Sequence, residues 1–266
     1  MYPFVHIGVL TLSSYKLITA LAATLGTWLI FRRVTSIGYT PAAIARCIFF
    51  AFAGGFGAIY LVQFFINAWR MTYGDFSQHE GLSVIWGIGG VALGAFIACR
   101  RAGVRWLRAF DRAVAPLILA QALARWGCFA HGCCGGKPTD SWFAMDMPNE
   151  YGVWAHRYPT QLLASGINFV IFLVLIGVER YARTRAKQMG LDHHWPFDGF
   201  LVALYFILFG LKRFFIAFLR ESATPLWGGW ISLMHLQALA FIGIGIGMIY
   251  FLHPSHRNSS LKRSVL

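Results

Sequence analysis

The chain has 266 residues, 58% of them in the apolar set AVILMFWYC and only 12% charged, with a formal net charge of +13. A soluble domain carries about 25% charged residues, so this composition excludes an ordinary soluble enzyme, a disordered chain and a nucleic-acid-binding domain. Five cysteines (Cys47, Cys99, Cys128, Cys133 and Cys134) are too few and too clustered for a disulfide-scaffolded secreted domain.

Crossing a hydrocarbon core of about 30 Å takes roughly 20 mostly apolar residues. Seven stretches qualify in chain order: 12–31, 43–66, 81–98, 114–129, 160–178, 197–219 and 231–252. The expected fold class is therefore all-α, a polytopic integral membrane protein with about seven transmembrane helices in a single membrane domain. The first stretch lacks the basic lead-in and small-residue cleavage site of a signal peptide. The fourth is the most polar, with Gln121 and Arg125 inside it. Residues 132–159 form the longest extracytoplasmic loop, and a loop of that length is often functional. The last residues, 255–266, are polar and basic.

Lysine and arginine set the orientation. Arg32 and Arg33, then Arg100, Arg101, Arg105, Arg108 and Arg112, then Arg180, Arg183, Arg185 and Lys187, and finally Arg257, Lys262 and Arg263 follow alternate spans, so all fourteen face one side. The other side has Arg70, Lys137, Arg157 and Arg220. The basic side is expected to be cytoplasmic, with the N-terminus outside and the C-terminus inside. The positive charge is then a matter of topology, aided by anionic membrane lipids, and calls for no nucleic acid. The 24 Phe, 10 Trp and 10 Tyr suit lipid-facing surfaces and interfacial belts.

Charge inside a span costs several kcal/mol unless it is paired or wet. Arg125 in the fourth span and Lys212 and Arg213 in the sixth, which Arg220 closes, have no acidic partner near them within a span: Asp198, at the far end of the sixth, is the one acidic residue inside the spans. Guanidinium binds phosphate with two parallel hydrogen bonds, and a phospholipid headgroup is the natural anion at that depth. Snorkelling to the outer interface or binding carbonyl groups is the simpler reading for Lys212 and Arg220. Directly after the fourth span runs Cys128-Phe-Ala-His131-Gly-Cys133-Cys134-Gly-Gly136. Its glycines end the helix and admit a ligand close to the backbone. The cysteines and His131 admit four readings: helix packing, a redox pair, a catalytic thiolate assisted by histidine, or a metal site, although the spacing is no standard zinc pattern. Cys47 and Cys99 read as core fillers. Tyr15 lies at the interface, and His235 and Gln237 read as hydrogen-bonded packing residues. His79 and Glu80 form an exposed pair or an acid/base pair.

The chain resembles the prolipoprotein diacylglyceryl transferase family along its whole length. The family signature G-R-x-G-N-F-x-N-x-E-x-x-G is matched by Ala124-Arg125-Trp-Gly-Cys128-Phe-Ala-His131-Gly-Cys133-Cys134-Gly-Gly136. Its H-P-[ST]-x-L-Y element resembles Tyr158-Pro159-Thr160-Gln161-Leu-Leu163. Its G-x-x-R-F-x-x-E-F-x-R element resembles the stretch from Gly210 through Arg213, Phe214, Ala217 and Phe218 to Arg220. Gly81-Leu82-Ser83 resembles the start of G-[LM]-S-F-H-G-G, Gln237 matches a glutamine near the start of the last span, and Tyr15 falls where the family has a functional tyrosine.

The resemblance implies transfer of the diacylglyceryl group of phosphatidylglycerol to the lipobox cysteine thiol of a prolipoprotein signal peptide. The membrane would be the bacterial cytoplasmic (inner) membrane, and no metal or organic cofactor is implied. Arg125 and Arg213 would hold the phosphate, with Cys128, Gly136, Arg220 and Gln237 completing the substrate site. His131, Cys133 and Tyr15 would be the catalytic group. The family histidine falls on Ile85, next to Trp86; its signature asparagines fall on Cys128 and His131, and its glutamates on Cys133 and Ala217. His131 is then the leading base, with His79 and His156 behind it. Two other readings stay open: a paralogue using the same phospholipid site with another thiol acceptor or with Cys/His chemistry, and a non-enzymatic lipid-binding protein.

Overall fold

The computed structural model describes residues 4–7, 10–73, 80–149, 152–190, 196–221, 225–226 and 231–253. Among the described residues seven helices dominate: α1 (Ser14–Thr35), α2 (Pro41–Tyr73), α3 (Glu80–Arg101), α4 (Trp106–His131), α5 (Thr160–Gln188), α6 (Phe200–Leu219) and α7 (Leu233–Leu252). Among the described residues, six of them (α1, α2, α4, α5, α6 and α7) are long and apolar enough to cross a membrane. Three two-stranded antiparallel hairpins decorate the helices: β1 (Phe4–Ile7) with β2 (Leu10–Ser13), β3 (Met145–Pro148) with β4 (Trp154–Arg157), and β5 (Pro225–Leu226) with β6 (Ile231–Ser232). The protein is a polytopic, mostly helical membrane protein.

Several helices run past the apolar stretches expected from the sequence. Arg108 and Arg112 lie inside α4, and Arg180, Arg183, Arg185 and Lys187 extend α5 rather than forming a loop. Arginine and lysine are good helix formers, so an apolar run marks where a span lies but not where its helix stops. Arg112 is more than a loop charge: it is buried and forms a 2.5 Å ion pair with the buried Glu179, which also binds the half-exposed Arg183 one turn on.

The chain divides into two compact units, residues 31–109 and residues 1–30 with 110–266. In the first, α2 and α3 touch backbone to backbone. A Cβ on Gly54 would sit 2.4 Å from the Gly90 carbonyl oxygen, and one on Gly90 would sit 2.2 Å from that of Gly54. Such small-residue seams replace the hydrophobic drive that lipid removes between helices. Cys47 and Cys99 are buried here with their sulfurs 3.5 Å apart, as expected of packing residues. Phe49, Phe56, Tyr60 and Phe64 of α2 are exposed, matching the lipid-facing role expected of the aromatic excess. Gly90→Val forces a branched side chain into the opposing backbone. It is expected to cost at least about 1–3 kcal/mol, read as a lower unfolding temperature in detergent.

In the second unit, Val114, Ala115 and Ile118 of α4 pack with Ile171 and Leu175 of α5 and Leu201, Val202 and Tyr205 of α6. Polar residues in this core are paired. Gln121 donates to the Tyr205 hydroxyl at 3.0 Å, and Ser165 donates to the Ala122 carbonyl at 2.8 Å. The α6 start has no local side-chain cap. Instead Asp111, buried in α4, accepts the Gly199 and Val202 amides at 2.7 and 3.0 Å. That satisfies donors which a helix start otherwise leaves open.

Candidate active site

The site lies where α4 and α6 end and α5 begins. After His131 the chain turns through Gly132 (φ 83°) and Cys134 (φ 63°). A non-glycine residue in the left-handed region is uncommon and costs of the order of 1 kcal/mol, so its surroundings must hold it. They do so from α5: Thr160 donates to the Cys134 carbonyl at 2.8 Å and Gln161 donates to the Cys133 carbonyl at 2.7 Å.

The segment beyond is clasped from two sides. The Gly136 amide donates to the Tyr158 carbonyl at 3.0 Å, and the Lys137 amide donates to the Leu219 carbonyl at 2.8 Å. Gly136 also forms a bridge with Arg220. A Cβ on Gly136 would lie 2.6 Å from both the Cβ and the carbonyl oxygen of Tyr158, so only glycine fits here. The buried Arg157 ties the assembly by ion-pairing with Glu221 at 2.7 Å and donating to the Gly136 carbonyl at 3.4 Å.

This framework surrounds a cationic pocket. Its lining includes Arg125 from α4, Lys212 and Arg213 from α6, and Arg220 at the α6 C-cap, together with Cys134 and Thr160. No carboxylate among the described residues lines it. Arg125 has no hydrogen bond or ion pair among the described residues. Arg213 donates to the Gln237 side chain, while its Nε is buried without a hydrogen-bond partner. Lys212 is buried at 7% exposure. Its ammonium donates to Asn168 Oδ1 at 3.0 Å and lies 4.0 Å from the Phe209 ring centroid. Of the two simpler readings for this lysine, snorkelling or a carbonyl partner, the contact is of the second kind: an amide carbonyl oxygen and an aromatic face hold the cation.

The cysteines form a second cluster beside this pocket. The sulfurs of Cys128, Cys133 and Cys134 all lie within 4.8 Å of one another, and all three are free thiols. Hydrogen bonds from Cys128 and Cys133, with the nearby charges of Arg220 and Arg125, hold the Cys134 thiol well below its ordinary pKa. The same sharing of hydrogen bonds, together with burial, pushes Cys133 up.

Tyr15 lies at the start of α1, partly exposed, with its ring centroid 6.0 Å from that of His131. Its backbone packs against Gly127, where a Cβ would approach the Tyr15 carbonyl to 3.3 Å. His131 is exposed at the end of α4 and does not line the cationic pocket. His156 is exposed on β4, 3.5 Å from Asp146. His235 is buried and completes a capping box with Ser232 at the α7 start, in keeping with the packing role expected of it. His79 and the side chains of Glu80, Gly81–Ser83, Ile85 and Trp86 lie outside the described residues.

The structure thus brings Arg125, Arg213 and Arg220 to one pocket, with Gln237 behind Arg213 and Gly136 in its frame. Asn168 and the Arg157–Glu221 pair were not among the expected site residues. Their only signal is polarity: Asn168 is an amide inside an apolar span, and Arg157 and Glu221 flank the recognisable motifs.

The profile of the prolipoprotein diacylglyceryl transferase family matches residues 3–251. Three curated relatives are each named a phosphatidylglycerol–prolipoprotein diacylglyceryl transferase. The Finegoldia magna protein is 30% identical over 62% of this chain and 59% of its own length. The Paenarthrobacter aurescens protein is 30% identical over 89% of this chain and 79% of its own length. In Clostridium perfringens, the protein numbered 2 under that name is 28% identical over 90% of both chains. The chain spans less than two thirds of the Finegoldia relative. With the profile covering nearly all of it, the chain belongs to the prolipoprotein diacylglyceryl transferase family.

Proposed function

We propose that this protein moves the diacylglyceryl group of phosphatidylglycerol onto the lipobox cysteine thiol of a prolipoprotein, at the outer face of a bacterial cytoplasmic membrane. The observation that carries this reading is the pocket in which Arg125, Lys212, Arg213 and Arg220 converge with no carboxylate among the described residues in its lining. The basic residues that follow alternate spans support an N-terminus outside and a C-terminus in the cytoplasm.

In the reaction the acceptor thiol loses its proton and its sulfur attacks the lipid glycerol carbon. The carbon–oxygen bond to phosphate breaks, and glycerol phosphate leaves with the electron pair. Arg125 and Arg213 offset the charge that collects on the phosphate oxygens, the kind of electrostatic stabilisation that dominates many enzymes. Gln237 fixes the orientation of Arg213. His131 takes the thiol proton, with Tyr15 beside it, while Cys133, Cys128 and Gly136 shape the acceptor side.

Cys134 in the lining of the phosphate pocket favours a second reading, in which the same phospholipid site serves another thiol acceptor. Incubating the purified protein with labelled phosphatidylglycerol and a lipobox peptide separates the two. Lipidated peptide with stoichiometric glycerol phosphate is the expected result. Unmodified peptide beside an active relative would remove the prolipoprotein as acceptor.

A further inference from the structure

The transfer reaction places Cys128 and Cys133 on the acceptor side but gives no reason for three sulfurs to be held together. Cys128 projects from the last full turn of α4, and the left-handed Cys134 folds the chain back so that Cys133 and Cys134 return to it. The Cys133 amide donates to the Cys128 carbonyl at 3.2 Å, and α5 anchors both following carbonyls through Gln161 and Thr160. The cluster is thus built by backbone geometry and by a second helix, and does not follow from cysteine adjacency alone. Metal–thiolate bonds near 2.3 Å place the corners of a trigonal three-sulfur site about 4.0 Å apart. These sulfurs already lie within 4.8 Å of one another, so side-chain rotation alone closes the triangle. Thiolate ligands select soft cations. Three thiolates around a monovalent ion carry net negative charge, which the guanidinium groups of Arg125 and Arg220, close enough to act on Cys134, offset.

We propose that Cys128, Cys133 and Cys134 form a trigonal thiolate site for a soft, thiophilic monovalent cation of the Cu(I) type. Binding is measured on the protein without lipid or peptide, so it stands or falls apart from the transferase reading. The full chain, reduced and kept anaerobic in detergent, is titrated with Cu(I) against a chromophoric Cu(I) chelator. One ion per chain is expected, with X-ray absorption showing three sulfur neighbours at about 2.3 Å. Replacing one ligand, as in C128S, C133S or C134S, is expected to weaken binding at least about tenfold, since even outer-shell changes cost that much. C47S/C99S is expected to bind as the unchanged protein does. Failure of the reduced protein to compete for Cu(I), two-sulfur coordination, single-serine variants that bind unimpaired, or loss of the ion in C47S/C99S would each overturn the proposal. The coordination number is read on the unchanged chain, so a misfolded variant does not blunt the test.

Discussion

Arg125→Ala is expected to lower diacylglyceryl transfer by about 10²–10³-fold, the range seen when one preorganised donor to a developing oxyanion is removed. Among the described residues Arg125 has no hydrogen bond or ion pair to lose. Three other cations, Lys212, Arg213 and Arg220, share its pocket, and deleting one relieves their mutual repulsion. Stability should therefore stay within about 0.5 kcal/mol of the unchanged protein. Arg125→Lys should recover only part of the loss, because an ammonium is a point charge and cannot present two parallel donors. Arg213→Ala would be a less clean variant, since it also strands the Gln237 side chain. Activity measured with phosphatidylglycerol beside an unfolding curve in detergent checks both halves. Full activity in Arg125→Ala would remove phosphate binding at this pocket from the mechanism.

The second large effect is on stability. Glu179→Ala leaves Arg112, 9% exposed, without the carboxylate it meets at 2.5 Å. Stranding one member of a buried pair costs about 3–5 kcal/mol, mostly because the remaining charge stays desolvated. Arg183 contributes little to this loss, since half of its side chain is exposed and screened. The double replacement Arg112→Met with Glu179→Leu should return most of the stability, because apolar residues of similar size often match a buried ion pair. Unfolding temperatures of the single and double variants give the comparison. A single variant as stable as the parent would show that water reaches Arg112 in the folded protein.

The contrast between these two arginines shows what was legible before the structure. Arg125 stood out because it interrupts an apolar run with no acidic residue in its own span, and it lines the cationic pocket. Arg112 looked like one of five loop charges, because Glu179 sits 67 positions away and no local pattern links them. The same limit hid the cap on α6: Asp111 reaches Gly199 across 88 positions. Spans are written locally, as apolar length, and so were readable. Ion pairs, remote caps and the paired glycines of α2 and α3 depend on which helices meet, which periodicity within one helix does not encode. For Lys212 the sequence left snorkelling and a carbonyl partner open, and it could not name the partner: Asn168 Oδ1 lies 44 positions away on another helix, and Phe209 adds an aromatic face.

The clasp around Gly136 carries a consequence for biogenesis. Its partners are the Tyr158 carbonyl and the segment from Leu219 to Glu221, whose Glu221 amide reaches the Gly135 carbonyl at 3.5 Å. Translation delivers residues 132–139 long before Leu219 leaves the ribosome. Until α6 has been inserted, Lys137 has no Leu219 carbonyl to bond and Arg125 has neither Arg213 nor Arg220 beside it. A nascent or truncated chain ending before α6 therefore holds Arg125 alone of the pocket's four cations, and the charge that concentrates there appears only once α6 is in place.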